Sequence, residues 1–286
     1  MTTPRAIRTV HTVAELRQQV GAWRAGGERV ALVPTMGALH VGHVALMEAA
    51  KAHAERTVVT IFVNPTQFAP TEDLGRYPRT LEADLDKADG AGVALAFVPD
   101  VNEMYPEGFA TTISLAGPAL GLETDFRPTH FAGVATVVAK LLNQAAPDVA
   151  LFGEKDYQQL QVVTRMARDL DLPARILGVP TVREADGLAL SSRNVYLSAE
   201  DRAAAPALHR ALTTAAAAIA GGADIAESIE AARRAVAAAG FALDYLEARH
   251  AATLAPVASR ADGPIRLLVA ARIGTTRLID NLAVPD

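Results

Sequence analysis

Over the first 180 positions the apolar residues fall in short blocks, separated by stretches that carry a helical repeat. The blocks at 29–34 (RVALVP), 57–63 (TVVTIFV), 92–98 (GVALAFV), 148–152 (DVALF) and 174–179 are aliphatic and β-branched, so they predict strands. Between them, 42–53, 80–91, 131–144 and 156–170 predict helices. These strands are apolar on both faces, as in a parallel sheet covered by helices on both sides. The expectation is therefore a doubly wound α/β domain over residues 1–181, with ligands at the carboxyl ends of its strands.

After about residue 181 the pattern changes. Ser198 can cap a helix running toward 219, with Asp201 three residues on as an acidic capping-box partner. Gly221-Gly222 breaks that helix, Asp224 can cap a second one through 239, and Gly240 ends it. Strands are predicted at 242–248, 266–272 and 275–282, so residues 182–286 read as a smaller α+β domain.

Composition narrows the chemistry. The chain has no cysteine, which excludes thiolate metal sites and a cysteine nucleophile. A formal net charge of -5 argues against nucleic acid as a partner. There is no signal-peptide pattern at the start and no apolar run near the roughly 18 residues of a membrane span, so the expected location is cytoplasmic, away from membranes. Lysine is scarce, at positions 51, 87, 140 and 155, which draws attention to Lys155.

Four segments carry candidate chemistry. In PTMGALHVGH (34–43), a strand ends and a helix begins, with His40 and His43 three residues apart. A helix start favours a phosphate, and imidazole N–H groups can stabilise charge building on its oxygens. Gly42 would let a flat ring or a ribose approach the backbone. Two histidines so spaced also occur as helix-face filler or as a metal pair. Leu190-Ser191-Ser192-Arg193 offers hydroxyls and a guanidinium suited to outgoing phosphates. In Gly153-Glu154-Lys155-Asp156, Lys155 can bridge phosphate oxygens, while Asp156 can accept from a ribose hydroxyl or orient the lysine. In FVNPTQF (62–68), Asn64 and Gln67 suit a hydroxyl-bearing carboxylic acid.

HVGH is the HxGH signature of the nucleotidyltransferase superfamily. The blocks PTMGALHVGH, FVNPTQF, DLGRYPRTLEADL, RPTHFAGVATVV, LFGEKDYQQL and LALSSRNVYLS together resemble the pantoate–β-alanine ligases, the pantothenate synthetases. The resemblance implies a Rossmann-like N-terminal domain, a small C-terminal lid, a homodimer, and ATP with Mg²⁺. The reaction it implies condenses pantoate with β-alanine to pantothenate through pantoyl adenylate. It assigns ATP contacts to Pro34, Thr35, Met36, Gly37, His40, Gly42, His43, Gly153, Glu154, Lys155, Asp156, Val182, Leu190, Ser191, Ser192 and Arg193. Of these, His43, His40, Lys155, Ser191, Ser192 and Arg193 are expected to serve catalysis. Pantoate is expected at Gln67, Gln159, Asn64 and His130, β-alanine at Gln67, and Mg²⁺ beside Asp84. The family commonly has methionine where Leu190 stands. The alternatives are a nucleotidylyltransferase of the same superfamily and a silent nucleotide-binding regulator.

Overall fold

The computed structural model describes residues 5–68 and 74–286. Asp73, the first residue of the DLGRYPRTLEADL block, and the N-terminal residues 1–4 lie outside the described residues. The chain divides into two compact units. One comprises residues up to Glu154 together with Val162–Pro180; the other comprises Lys155–Gln161 and Thr181–Asp286.

The first unit holds β1 (Arg8–Val10), α1 (Val13–Ala25), β2 (Val30–Thr35), α2 (Val41–Ala50), β3 (Arg56–Ile61), α3 (Leu81–Gly90) and β4 (Leu95–Phe97). There follow α4 (Val101–Met104), α5 (Glu123–Phe126), α6 (His130–Ala145), β5 (Val149–Gly153), most of α7 (Tyr157–Asp169), and β6 (Arg175–Val179). Its six strands run in the order β1-β4-β3-β2-β5-β6, all neighbours parallel. Strand order reverses between β2 and β5. Ligands of doubly wound sheets bind in the crevice at the carboxyl ends of strands beside such a switch. The loop 36–40 follows one of these two strands, and Gly153 ends the other. Val30, Ala31, Leu32 and Val33 are completely buried, as a strand covered on both faces requires.

Besides the one-turn helices α4 and α5, β1 and α1 escape the apolar-block reading. β1 is three residues long with one buried position. Helix α1 is amphipathic and capped by a Thr12–Glu15 capping box, a T-x-x-E signature that stands in the sequence.

The second unit holds α8 (Ala199–Ala204), α9 (Ala207–Ala220), α10 (Ile225–Ala238), β7 (Ala242–His250), β8 (Ile265–Ile273) and β9 (Thr276–Ala283). The strands form an antiparallel sheet in the order β7-β8-β9. Leu208, Leu212, Ile219, Ile229 and Val236 of the helices share one core with Leu246, Leu267, Val269 and Leu278 of the sheet. Ser198 and Asp224 cap their helices as expected, through bonds to the Asp201 and Glu227 amides. The single helix expected from 198 to 219 is two helices. Pro206 stands between them, because its ring and missing N–H cannot be carried inside a helix.

Candidate active site

The loop between β2 and α2 is drawn taut by one carboxylate. Gly37 and Ala38 both have positive φ, +86° and +51°, which turns successive amides the same way. Asp84, on α3 and 1% exposed, accepts from Ala38 N–H at 2.9 Å and Leu39 N–H at 2.7 Å. Thr80 Oγ1 donates to the same group at 3.2 Å. A side chain at Gly37 would press on Asp84 Oδ2 at 3.1 Å and Ile61 at 3.2 Å. The resemblance places Asp84 at Mg²⁺; in the structure its two oxygens hold the histidine loop. No cluster of three or more metal-ligating side chains occurs among the described residues.

His40 is the N-cap of α2, and the two imidazoles take the place of the usual hydroxyl and carboxylate in a capping box. His40 Nδ1 accepts from Gly42 N–H at 3.1 Å, and His43 Nδ1 accepts from His40 N–H at 3.2 Å. An amide can only donate, so each Nδ1 must present its lone pair, and in the neutral ring the proton sits on Nε2. The ring centroids are 4.2 Å apart. The reason for Gly42 differs from the expectation: the ring crowding it is His40's own, 2.8 Å from where a Cβ would sit.

A second group surrounds Gln67. Asn64 is 1% exposed, and its amide is committed in every direction. Its Nδ2 donates to Gln67 Oε1 at 3.1 Å and to Gly133 O at 3.2 Å. Its Oδ1 accepts from Thr66 Oγ1 at 2.9 Å and Tyr105 OH at 2.7 Å. With Oε1 fixed in this way, Gln67 Nε2 points at Met36 Sδ, 3.0 Å away, joining this group to the histidine loop. His130 Nδ1 lies 3.0 Å from Gln67 O, and Arg127 donates to the same carbonyl at 3.3 Å. Burial pushes the Tyr105 hydroxyl pKa up, so it stays a proton donor at neutral pH. Asn64, which the resemblance expects at the substrate, is thus bonded directly to Gln67, the other residue of this segment expected there.

A third group lies in the second unit, in a cleft lined by Lys155, Ser191, Arg193, Asn194, His209 and Asp280 among others. Three residues singled out from the sequence thus come together. Leu190 N–H donates to Val182 O at 3.0 Å, closing a narrow hairpin just before the serines. Ser191 Oγ then caps the short turn Ser192–Tyr196 by accepting from Arg193 N–H at 3.2 Å. Arg193 is exposed, and the Lys155 side chain is 17% exposed. Ser192, Asp156 and Gln159 do not line this cleft; Gln159 is half-buried in the first turn of α7, next to the buried Gln158.

Residues 8–283 match the family model described as pantoate-beta-alanine ligase. The chain belongs to the pantoate–β-alanine ligase family. A pantothenate synthetase of Nitrobacter hamburgensis is 60% identical over 98% of this chain and 100% of that relative. One from Rhodopseudomonas palustris strain BisA53 is 61% identical over 96% of this chain and 97% of its own length. Among solved structures, the pantothenate synthetase of Thermus thermophilus superposes with a TM-score of 0.91 at 52% identity, covering 97% of this chain and 99% of that one. The pantoate-beta-alanine ligase of Francisella tularensis, complexed with beta-gamma ATP and beta-alanine, gives a TM-score of 0.81 at 31% identity over 97% and 98%.

Against the pattern of pantoate–β-alanine ligases, Leu190 is a small departure. Its observed bond to Val182 is through its backbone, so the change of side chain leaves that contact alone. Sequence reading missed Tyr105, Arg127 and Gly133. Gly133 sits inside an otherwise apolar helix, and an added Cβ would lie 2.4 Å from Thr66 O. A glycine inside a helical run was the readable signal for that close approach. No signal marked Tyr105, which reaches Asn64 across 41 positions.

Proposed function

We propose that this family member condenses pantoate with β-alanine, consuming ATP and releasing AMP and pyrophosphate. A carboxylate oxygen of pantoate attacks the α-phosphorus, the bond to the bridging oxygen breaks, and pyrophosphate leaves. The amine of β-alanine then attacks the acyl carbon of pantoyl adenylate, and AMP leaves as the amide forms. Neither step needs a covalent enzyme nucleophile, in keeping with a chain without cysteine. The protein's work is positioning and charge stabilisation.

The observation that carries the reading is the pair His40 and His43, whose Nδ1 atoms are occupied by backbone amides so that Nε2–H groups serve as donors. In this reading they meet α-phosphate oxygens, aided by the start of α2. Lys155, Ser191, Ser192 and Arg193 neutralise the departing pyrophosphate, with Gly153, Glu154, Asp156 and Val182 along the nucleotide. Gln67 and Gln159 take the pantoate hydroxyls and carboxylate, and Gln67 also meets β-alanine. Mg²⁺ arrives as part of the substrate, bound to phosphate oxygens as a hard cation prefers. The protein acts as a homodimer in this reading. Among the described residues no helix is long and apolar enough to cross a membrane.

The test is exchange of labelled pyrophosphate into MgATP, with and without pantoate, in the absence of β-alanine. Exchange that requires pantoate is expected, with net AMP and pantothenate once β-alanine is added. Pantoate-independent exchange would favour a nucleotidylyltransferase. Failure of both exchange and net reaction, in protein that binds ATP, would refute the ligase.

A further inference from the structure

Strand β9 carries two adjacent polar residues that are both buried, Asp280 at 5% and Asn281 at 2% exposure. Side chains alternate along a strand, so neighbours serve opposite faces of the sheet. Leu278 and Leu282 belong to the core shared with the helices, which puts Asp280 on the helix side. There its carboxylate takes Arg183 in a two-pronged pair at 2.7 and 2.9 Å. Arg183 begins the hairpin that closes at Leu190 and leads into Ser191, and it also donates to Gly187 O at 3.0 Å. Asn281 serves the other side: its Nδ2 donates to the backbone carbonyl of Lys155 at 2.9 Å. Its Oδ1 accepts from Arg266 Nε at 2.7 Å. The Arg266 guanidinium in turn lies over the Tyr157 ring, 4.1 Å from its centroid, and Tyr157 OH donates to Ala251 O at 3.1 Å.

We infer that Asn281 is a positioning residue for the nucleotide half of the reaction, which with Asp280 fixes Lys155 and the Ser191–Arg193 turn in one frame. The inference rests on the proposed role of those two segments at the phosphates. A dipeptide on a strand suits this task because its two side chains are set by one rigid backbone. A shift in either segment changes the spacing between the Lys155 ammonium and the Ser191 hydroxyl, which line the same cleft. Of the residues assigned to pantoate, Gln67 is bonded by Asn64 and directed at Met36 within the first unit, and Gln159 stands outside the lining of this cleft.

The experiment compares Asn281→Ala and Asn281→Asp in pantoate-dependent pyrophosphate exchange, with circular dichroism and thermal melting to establish folding. Asn281→Asp keeps the size and the acceptor for Arg266 but replaces the donor to Lys155 O with an oxygen. Both are expected to raise the KM for MgATP by about 10-fold, the scale of one lost hydrogen bond, while the KM for pantoate stays within about twofold. If Asn281→Ala does not fold, the aspartate variant decides. An unchanged KM for MgATP in a folded variant, or an equal rise for both substrates, overturns the inference. A wild-type protein without exchange refutes the ligase reading instead, so the two failures are distinct.

Discussion

Replacing Gly133 by alanine adds a single methyl group at the point where α6 crosses the turn carrying Gln67. The new Cβ would lie 2.4 Å from Thr66 O, 2.6 Å from Thr66 C and 2.7 Å from Gln67 N. All three are backbone atoms, so no side-chain rotation relieves the clash. Ordinary contact is near 3.4 Å. Helix and turn must therefore separate by about 1 Å, straining a packed interior by about 1–3 kcal/mol. The same movement carries Gln67 away from Met36, and weakens the two bonds that join turn and helix, Asn64 Nδ2 to Gly133 O and His130 Nδ1 to Gln67 O. A displacement of about 1 Å at a substrate-positioning group can lower turnover by about 10²-fold. Gly133→Ala is therefore expected to melt several degrees lower and to lose about 10²-fold in kcat/KM for pantoate. Steady-state kinetics with pantoate varied, alongside a thermal melt, reads both effects. Gly21→Ala in α1 is the matched control: nothing lies within 4 Å of its Cβ, and replacing a helical glycine should stabilise by about 0.5–1 kcal/mol. Wild-type kcat/KM in folded Gly133→Ala would refute the idea that the helix–turn contact sets Gln67.

Asp84→Asn turns an acceptor-only group into one whose NH₂ must face a loop amide; kcat/KM for MgATP should fall at least about 10-fold while the Mg²⁺ concentration giving half-maximal rate stays unchanged. A selective rise in the Mg²⁺ requirement would return Asp84 to the metal. His209 has its pKa lowered, first by burial and then by the nearby charge of Arg183, against the opposing pull of Asp280. Its protonation is thus harder in the folded state than in the unfolded one, so this contribution to stability is intact at neutral pH. It is lost as pH falls from the unfolded value of about 6.5 toward the lowered folded value. Thermal melts between about pH 8 and pH 5 should therefore drop less steeply for His209→Gln than for the wild type, and parallel curves would remove His209 from that dependence.

What the sequence made legible was whatever a short window determines. Strand β2 declared itself because a strand buried on both faces must be apolar at consecutive positions. His40 and His43 were visible because three residues of helix bring them together. Long-range relations were not visible. The Asp84 bonds to Ala38 and Leu39 span 46 and 45 positions, so in the sequence only the resemblance singled Asp84 out, and for Mg²⁺ rather than for the loop. The partners of Asn64 are likewise long-range: only the fold brings Tyr105 OH and the Gly133 carbonyl to its amide. Nor does periodicity reveal that Lys155–Gln161, midway along α/β territory, packs with the C-terminal strands.

The way the two histidines are wired also bears on which metals the protein can live beside. Zinc and its neighbours bind a neutral imidazole through the nitrogen that carries no proton, while the other N–H is given to a carbonyl or carboxylate. In this chain the unprotonated nitrogens, Nδ1 of His40 and of His43, are turned onto amide hydrogens. Capture of a zinc ion through Nε2 would require both rings to move their protons onto nitrogens that face other protons. A spacing that on another helix would chelate metal is thereby kept from doing so by two main-chain N–H groups.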